Sequence, residues 1–166
     1  MEQYFLTSTQ KLGALVRAAG IRTGDRVPEL GSGGGTVAAA PTLHTSRCTL
    51  TLAELDSRLA EGLRVRFPEA TVLEEDALGV LERLEADVIL SNLPHPLTEA
   101  VLRRLSRKTF RRALIAVHER DDVQRLARVA EGLSLELLFT LNEHDFTPPQ
   151  PFRSNLILAT PHVRRA

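Results

Sequence analysis

Two short motifs in this chain carry residue types that could do chemistry. Asn92-Leu93-Pro94-His95 follows the apolar run Val88-Ile89-Leu90. A carboxamide oxygen and the carbonyl beside a proline can both accept hydrogen bonds from an exocyclic amino group. A flat side chain at the fourth position can cover the ring carrying that amine. Proline-containing turns also end strands with no chemistry attached, so the tetrapeptide alone leaves a plain turn open. The second motif, some sixty residues upstream, is Glu29-Leu30-Gly31-Ser32-Gly33-Gly34-Gly35-Thr36, between Asp25-Arg26-Val27 and Val37-Ala38-Ala39-Ala40. It reads as strand, tight glycine turn and helix start. Glycines permit positive φ and a close ligand approach, and a helix N-terminus offers unpaired N–H groups to an anion. A flexible linker is the plain alternative. The motif lacks the Gly-x-x-Gly tail of a nicotinamide fingerprint and has no Gly-Lys-Ser/Thr, so it is not a P-loop. It does not by itself separate a dinucleotide site from a nucleoside-cofactor site.

The elements that must hold these motifs alternate along the chain. Leu12, Leu15, Val16 and Ala19 make one helix face, and Val27–Leu30 is a short strand into the glycine turn. Strands are expected at 48–53, 71–73, 87–91 and 113–117, with helices at 57–66 (capped by Asp56 or Ser57), 78–84, 97–107 and 123–130. Two closing strands, 134–141 and 155–160, have no helix between them. The expectation is an α/β, Rossmann-like fold: a seven-stranded, mostly parallel sheet with a C-terminal antiparallel hairpin and helices on both faces. Ligands in such sheets bind beyond the carboxyl ends of the strands. Glu29, Glu54 and Asp76 each fall at such an end. Glu54 lies 23 residues past Gly31, close to the spacing of about 20 at which an acid meets a ribose diol. Asp76 could accept from an adenine amine. A solvated loop carboxylate is the alternative for each acid.

Composition narrows the classes. The 166 residues predict one domain, 1–166. Net charge is zero, so no global basic field marks a nucleic-acid binder. No stretch approaches the length of a membrane span, and the N-terminus lacks the regions of a signal peptide. One cysteine, Cys48, excludes an internal disulfide, and a cytoplasmic setting is expected. The five His show no metal-ligand spacing, so no metal is expected.

Together the motifs resemble the S-adenosylmethionine-dependent rRNA adenine N6-dimethyltransferases, the family of the 16S enzymes and the macrolide-resistance enzymes. Gln3-Tyr4-Phe5-Leu6 resembles their Gln-Asn/His-Phe-Leu, and the glycine turn their Glu-x-Gly-x-Gly-x-Gly. Glu54-Leu55-Asp56 resembles Glu-x-Asp, and Asp76-Ala77 resembles Asp-Ala/Val. Asn92 to Thr98 resembles Asn-Leu-Pro-Tyr-Asn-Ile-Ser, and Phe146 to Ser154 resembles Phe-x-Pro-Pro-Pro-x-Val-x-Ser. The resemblance implies a cofactor, S-adenosylmethionine, and RNA as substrate. It implies that Glu29, Gly31, Gly33, Gly35, Glu54, Leu55, Asp76, Ala77 and Asn92 hold the cofactor, with Gln3 and Phe5 closing the pocket. Asn92, Leu93, Pro94 and His95 would position the amine, and Phe146 would pack on the base. The chain departs from the family at His95, where the family has Tyr or Phe, and at Tyr4, Pro28 and Pro96. It also stops shortly after the Phe146 loop, where the family continues into a helical domain that grips RNA. A partner or oligomer could replace that domain.

Arg103, Arg104, Arg107, Lys108, Arg111 and Arg112 hold six cations with no acid among residues 103–112. They are the local candidate for RNA phosphates, or else cations offsetting a helix C-terminus. Arg164 and Arg165 are read as solubilising. Two competing readings stay open at this stage: methylation of another amine (protein, DNA or small molecule), and a binding protein that keeps the fold without turnover.

Overall fold

The computed structural model describes residues 4–40 and 47–162. Gln3, Arg164 and Arg165 lie outside them. In chain order the elements are β1 (Phe5–Leu6), α1 (Thr9–Ala19), β2 (Arg26–Leu30), β3 (Thr49–Ala53), α2 (Ser57–Arg66), β4 (Thr71–Leu73) and α3 (Ala77–Arg83). There follow β5 (Val88–Ser91), α4 (Thr98–Leu105), β6 (Arg112–His118), α5 (Val123–Val129), β7 (Leu133–Leu141), β8 (Phe146–Thr147) and β9 (Ser154–Pro161).

Seven strands form one sheet in the order β4-β3-β2-β5-β6-β9-β7. The pairs from β4 through β6 are parallel. β9 inserts between β6 and β7 and runs antiparallel to both, so the closing hairpin expected from the sequence is the β7–β9 pair. The central strands read as continuous apolar runs because both their faces are covered. All four residues of β5 are buried, as are Ala113 to Val117 of β6. Alternation then sorts side chains to two cores. Leu30, Ile89, Ala113 and Ile115 pack with α3, α4 and α5, while Val27, Val88, Leu90 and Leu114 pack with α1.

Helix starts follow capping chemistry. Ser8, Asp56, Asp76 and Asp122 each accept a backbone N–H of the first turn, which satisfies donors that have no intrahelical partner. Gly20 closes α1 at φ 56°, a left-handed position where glycine avoids a Cβ penalty. The segment expected as one helix over 97–107 is instead a 3-10 turn at His95–Leu97 followed by α4. Pro96 suits a first turn, where its missing N–H costs nothing. Pro28 sits mid-strand without disrupting the sheet. Leu30 accepts from Asn92 on the β5 side, so by alternation Pro28 also faces β5. There the β2–β5 register covers only Glu29 and Leu30, and the missing donor falls outside it.

The turn after β2 is held from below by α2. A Cβ on Gly35, whose φ is 75°, would meet Phe67, Leu63 Cδ2 at 2.8 Å and little free space. Gly24 has a comparable φ of 84° but no heavy atom within 4 Å of such a Cβ. Gly35→Ala should therefore cost about 2–4 kcal/mol, combining left-handed strain with overpacking. Gly24→Ala should cost only about 1–2 kcal/mol. Urea unfolding of both variants checks this; equal losses would mean the Leu63–Phe67 contact carries no weight.

Candidate active site at the carboxyl ends of the strands

The glycine turn and the Asn92 turn leave adjacent parallel strands and press against each other. At Gly31, φ is 73°, and an added Cβ would lie 2.8 Å from Leu93 Cδ2 and 3.4 Å from the Asn92 carbonyl oxygen. Only a residue without a side chain lets these two turns approach so closely. Gly31 and Ser32 also donate to the Ala53 carbonyl at 2.9 and 3.1 Å, tying the turn to the end of β3. Phe5 covers the same turn: a Cβ on Gly33 would lie 2.8 Å from its ring. Phe5 is held there by the β1–β8 ladder, in which Phe5 pairs with Thr147 and Leu6 with Phe146. This two-stranded piece links the N-terminal arm to the proline-rich loop. Two-residue strands carry no periodicity, so this ladder leaves no pattern in the sequence.

Glu54 is buried at the end of β3. Its Oε2 accepts from the Gly33 N–H at 2.7 Å and its Oε1 from the Asp56 N–H at 2.9 Å. A carboxylate offers about four lone-pair sites, so two remain for a ligand's hydroxyls. Beside it Leu55 is 70% exposed, an apolar side chain available to a flat ring. Asp76 is exposed and caps α3 through Gly79, while Ala77 is buried beneath it. The cap leaves the other Asp76 oxygen open. Glu29 differs from these acids. It is 2% exposed, and burial, opposed by the Ala38 N–H and reinforced by Glu54, pushes its carboxyl up to about 8.

Asn92 stands at the end of β5, partly buried, with its N–H on the Leu30 carbonyl at 3.2 Å. Three residues on, His95 enters a ring cluster. Its ring meets Phe152 edge-on at 5.0 Å and His118 at 5.2 Å, and His118 lies 4.9 Å from Phe152. Its Nε2 is 3.4 Å from Ser154 Oγ, which accepts from Gln150 Nε2 at 3.0 Å. Both Gln150 and Ser154 are buried. Burial, followed by His118, lowers the His95 pKa below its ordinary value, with Asp121 opposing. His95 is thus a neutral ring at pH 7.

The ring role expected of Phe146 needs correcting. Phe146 is 3% exposed and belongs to the core with Leu6, Leu15 and Leu141. Phe152 is the Phe beside His95. Phe152 lies in the same motif, and only its neighbours in space distinguish the two. His118 was missed, although it closes the strand expected at 113–117, the end at which ligands bind.

The six cations of residues 103–112 are not brought to this site. Arg111 precedes β6 and Arg112 opens it, at the amino end of the strand, opposite the end that carries the candidate site. Arg111 pairs with Asp25, Arg112 donates to the Ala18 carbonyl at 2.7 Å, and Lys108 donates to the Leu84 carbonyl. Arg104 lies 2.7 Å from Glu82, and Arg103 lies 3.7 Å from Glu99. Arg107 is exposed, with no side-chain partner among the described residues. A depression of about 960 Å³ at that end of the sheet is lined by Arg104, Arg107, Lys108 and Arg111 with Asp25 and Glu82, so size does not mark the candidate site. Among the described residues no group of three or more His, Cys, Asp or Glu stands ready to hold a metal ion. No helix there is long and apolar enough to cross a membrane.

Replacing His95 by Phe leaves the buried Ser154 hydroxyl without its imidazole. It should cost about 1–3 kcal/mol at pH 7. Because folded His95 takes up a proton less readily than unfolded His, the wild type should lose stability as pH falls below about 6.5. His95→Phe should lack that loss. Melts of both proteins between pH 5 and 8 check this, and parallel curves would contradict it.

No protein-family model matches the chain. The mitochondrial small-subunit ribosomal RNA methyltransferase of Arabidopsis thaliana is 27% identical over 179 residues, covering 96% of this chain and 46% of that protein. Ribosomal RNA small subunit methyltransferase A of Gloeobacter violaceus is 28% identical over 180 residues, covering 96% and 65%. The chain thus spans about half to two thirds of the length of these relatives. A dimethyladenosine transferase from Plasmodium falciparum superposes with a TM-score of 0.82 at 21% identity, over 95% of this chain and 63% of that one. The chain is thus similar, along nearly its whole length, to small-subunit ribosomal RNA methyltransferases, and its fold is the class I methyltransferase fold of the dimethyladenosine transferase.

Proposed function

We propose that the chain is an S-adenosylmethionine-dependent methyltransferase that modifies the N6 amino group of adenine in ribosomal RNA. The observation that carries this reading is the contact between the Gly31 turn and Asn92, with Glu54 alongside. A nucleoside cofactor at the turn and an amine at Asn92 would be neighbours. The residues fit such a cofactor. Glu54 has lone pairs for ribose hydroxyls, Leu55 offers an exposed apolar surface for the adenine, and Asp76 has an open oxygen for its amine. Phe5 would cover the methionine end over Gly33.

The bound cofactor supplies an electrophilic methyl group on a sulfonium. The chain's own work is positioning, since in-line transfer depends on near-attack geometry. The Asn92 side-chain oxygen and the carbonyl beside Pro94 would accept from the target amine, drawing its lone pair out of conjugation with the ring. His95, neutral and braced by Phe152, His118 and Ser154, would present its remaining surface to the base. A duplex adenine must be flipped out at a few kcal/mol, so unpaired adenines are the favoured class. Contact with RNA phosphates through the exposed Arg103 and Arg107, a cytoplasmic setting beside ribosomes, and a partner or second copy that helps grip RNA belong to the same proposal.

Asn92→Ala should lower kcat of methyl transfer by about a hundredfold or more while leaving cofactor affinity near wild type, because its contacts form with the reacting amine. Normal methylation by the variant would defeat the proposal. Glu54→Ala should weaken S-adenosylmethionine binding by about 1–3 kcal/mol. Unchanged affinity by calorimetry would remove Glu54 from the cofactor site.

A further inference from the structure

His95 is the ring that the proposed mechanism turns toward the target base. An imidazole is not symmetric: a half-turn of the ring exchanges its nitrogens with carbons, and the neutral ring has two tautomers. Two buried polar residues stand where they can choose between these states. Ser154 lies opposite His118 across the β6–β9 pair and opposite Leu141 across the β7–β9 pair. Opposed residues share a sheet face, and Leu141 belongs to the core on the α1 side. Ser154 Oγ therefore stands on that face at the carboxyl end of β6, in a residue 1% exposed. It meets two groups among the described residues: Gln150 Nε2 at 3.0 Å and His95 Nε2 at 3.4 Å. Gln150, 5% exposed, is itself held by its N–H on the Glu143 carbonyl at 3.2 Å.

A serine hydroxyl has one proton and two lone pairs. The Gln150 amide fills one lone pair, so the proton is free for the acceptor on the other side, His95 Nε2. With Nε2 accepting, the neutral ring carries its proton on Nδ1. Nδ1 is buried with no partner among the described residues, so no group on that side opposes the choice. The neighbouring ring is fixed the opposite way. His118 Nδ1 accepts the Arg120 N–H at 3.1 Å, which leaves the His118 proton on Nε2. The family pattern has Pro at the place of Gln150, Val at that of Phe152 and Tyr or Phe at that of His95. In this chain the three departures gather around one ring, Gln150 through Ser154 and Phe152 by direct contact.

We propose that Gln150 and Ser154 form a relay that fixes the His95 proton on Nδ1 and locks the ring plane, making both of them positioning residues for the ring that meets the target base. The inference rests on the proposed place of His95 beside that base. A hydrogen bond to an imidazole nitrogen lies in the plane of the ring, so it restrains rotation about the Cβ–Cγ bond. The edge contacts with Phe152 and His118 restrain its tilt. A ring held in both ways needs no reordering when the base arrives, which is how preorganised geometry contributes to transfer.

The test reads the imidazole nitrogens by nitrogen-15 NMR at about pH 8, above the lowered pKa of His95, with its signals assigned by their loss in His95→Phe. His118, held in the other tautomer, is the internal reference. In the wild type, His95 should show a proton on Nδ1 and an acceptor nitrogen at Nε2. Ser154→Ala should release the ring to the Nε2–H form or to a mixture, and Gln150→Leu should give a mixture. A wild-type ring protonated on Nε2, or one unchanged in Ser154→Ala, overturns the proposal. A ring unchanged in Gln150→Leu removes Gln150 from it. Methyl transfer is measured alongside. Ser154→Ala should lower kcat about tenfold with cofactor affinity unchanged, yet change kcat by no more than about twofold in a His95→Phe background. Equal losses in both backgrounds would mean that Ser154 acts on the fold and not through His95, which overturns the positioning role. Tautomer control in a protein that transfers no methyl group would keep the relay and reject the functional reading. Transfer by a protein whose His95 tautomer ignores Ser154 would keep that reading and reject the relay.

Discussion

The site depends on one steric constraint: two strand-ending turns meet where Gly31 has no side chain. Leu93 and the Asn92 carbonyl occupy the space a Cβ would need. Everything else in the region is arranged around that contact. Ala53 receives the turn's N–H groups, Glu54 takes the next one along, and Phe5 closes over Gly33. The parallel sheet makes the meeting unavoidable. β2 and β5 are neighbours, in register from Glu29 and Leu90, so their turns must emerge side by side. A pocket between such turns is where open α/β sheets place ligands.

Much of this was legible in the sequence because the signals were local. The glycine turn, the cap at Asp56, and the apolar runs of β5 and β6 are each set by a few adjacent residues. Helix α2 over Ser57–Arg66 and the β7–β9 pair came out as expected for that reason. What the sequence hid was set by distance in space. Phe146 and Phe152 share a motif and chemistry, yet one is core and the other sits against His95. That division comes from the β1–β8 ladder, whose pairing joins residues about 140 apart. The cations of 103–112 look like a patch in one dimension. In three, Asp25 and Glu82 reach Arg111 and Arg104 from other elements, and Glu99 meets Arg103 within α4. An exposed ion pair contributes little to stability, but it does blunt the field that a phosphate would meet.

His95 shows how a departure from a family pattern can be absorbed. An imidazole is smaller than the phenol or phenyl ring it stands in for, and it needs hydrogen-bond partners. Ser154 provides one for Nε2, with Gln150 behind it, and His118 and Phe152 supply the ring contacts. Burial keeps the ring neutral, so it can act as a flat surface rather than a cation at physiological pH. Nδ1 remains buried without a partner among the described residues.

The central claim is that the Gly31 and Asn92 turns form one methyl-transfer site for adenine. The most direct measurement is transfer from methyl-labelled S-adenosylmethionine to bulk ribosomal RNA, followed by digestion and nucleoside separation. The account predicts label in N6-methylated adenosine and none in the other nucleosides. Label in another nucleoside, or none in RNA from a protein that binds the cofactor, would contradict it.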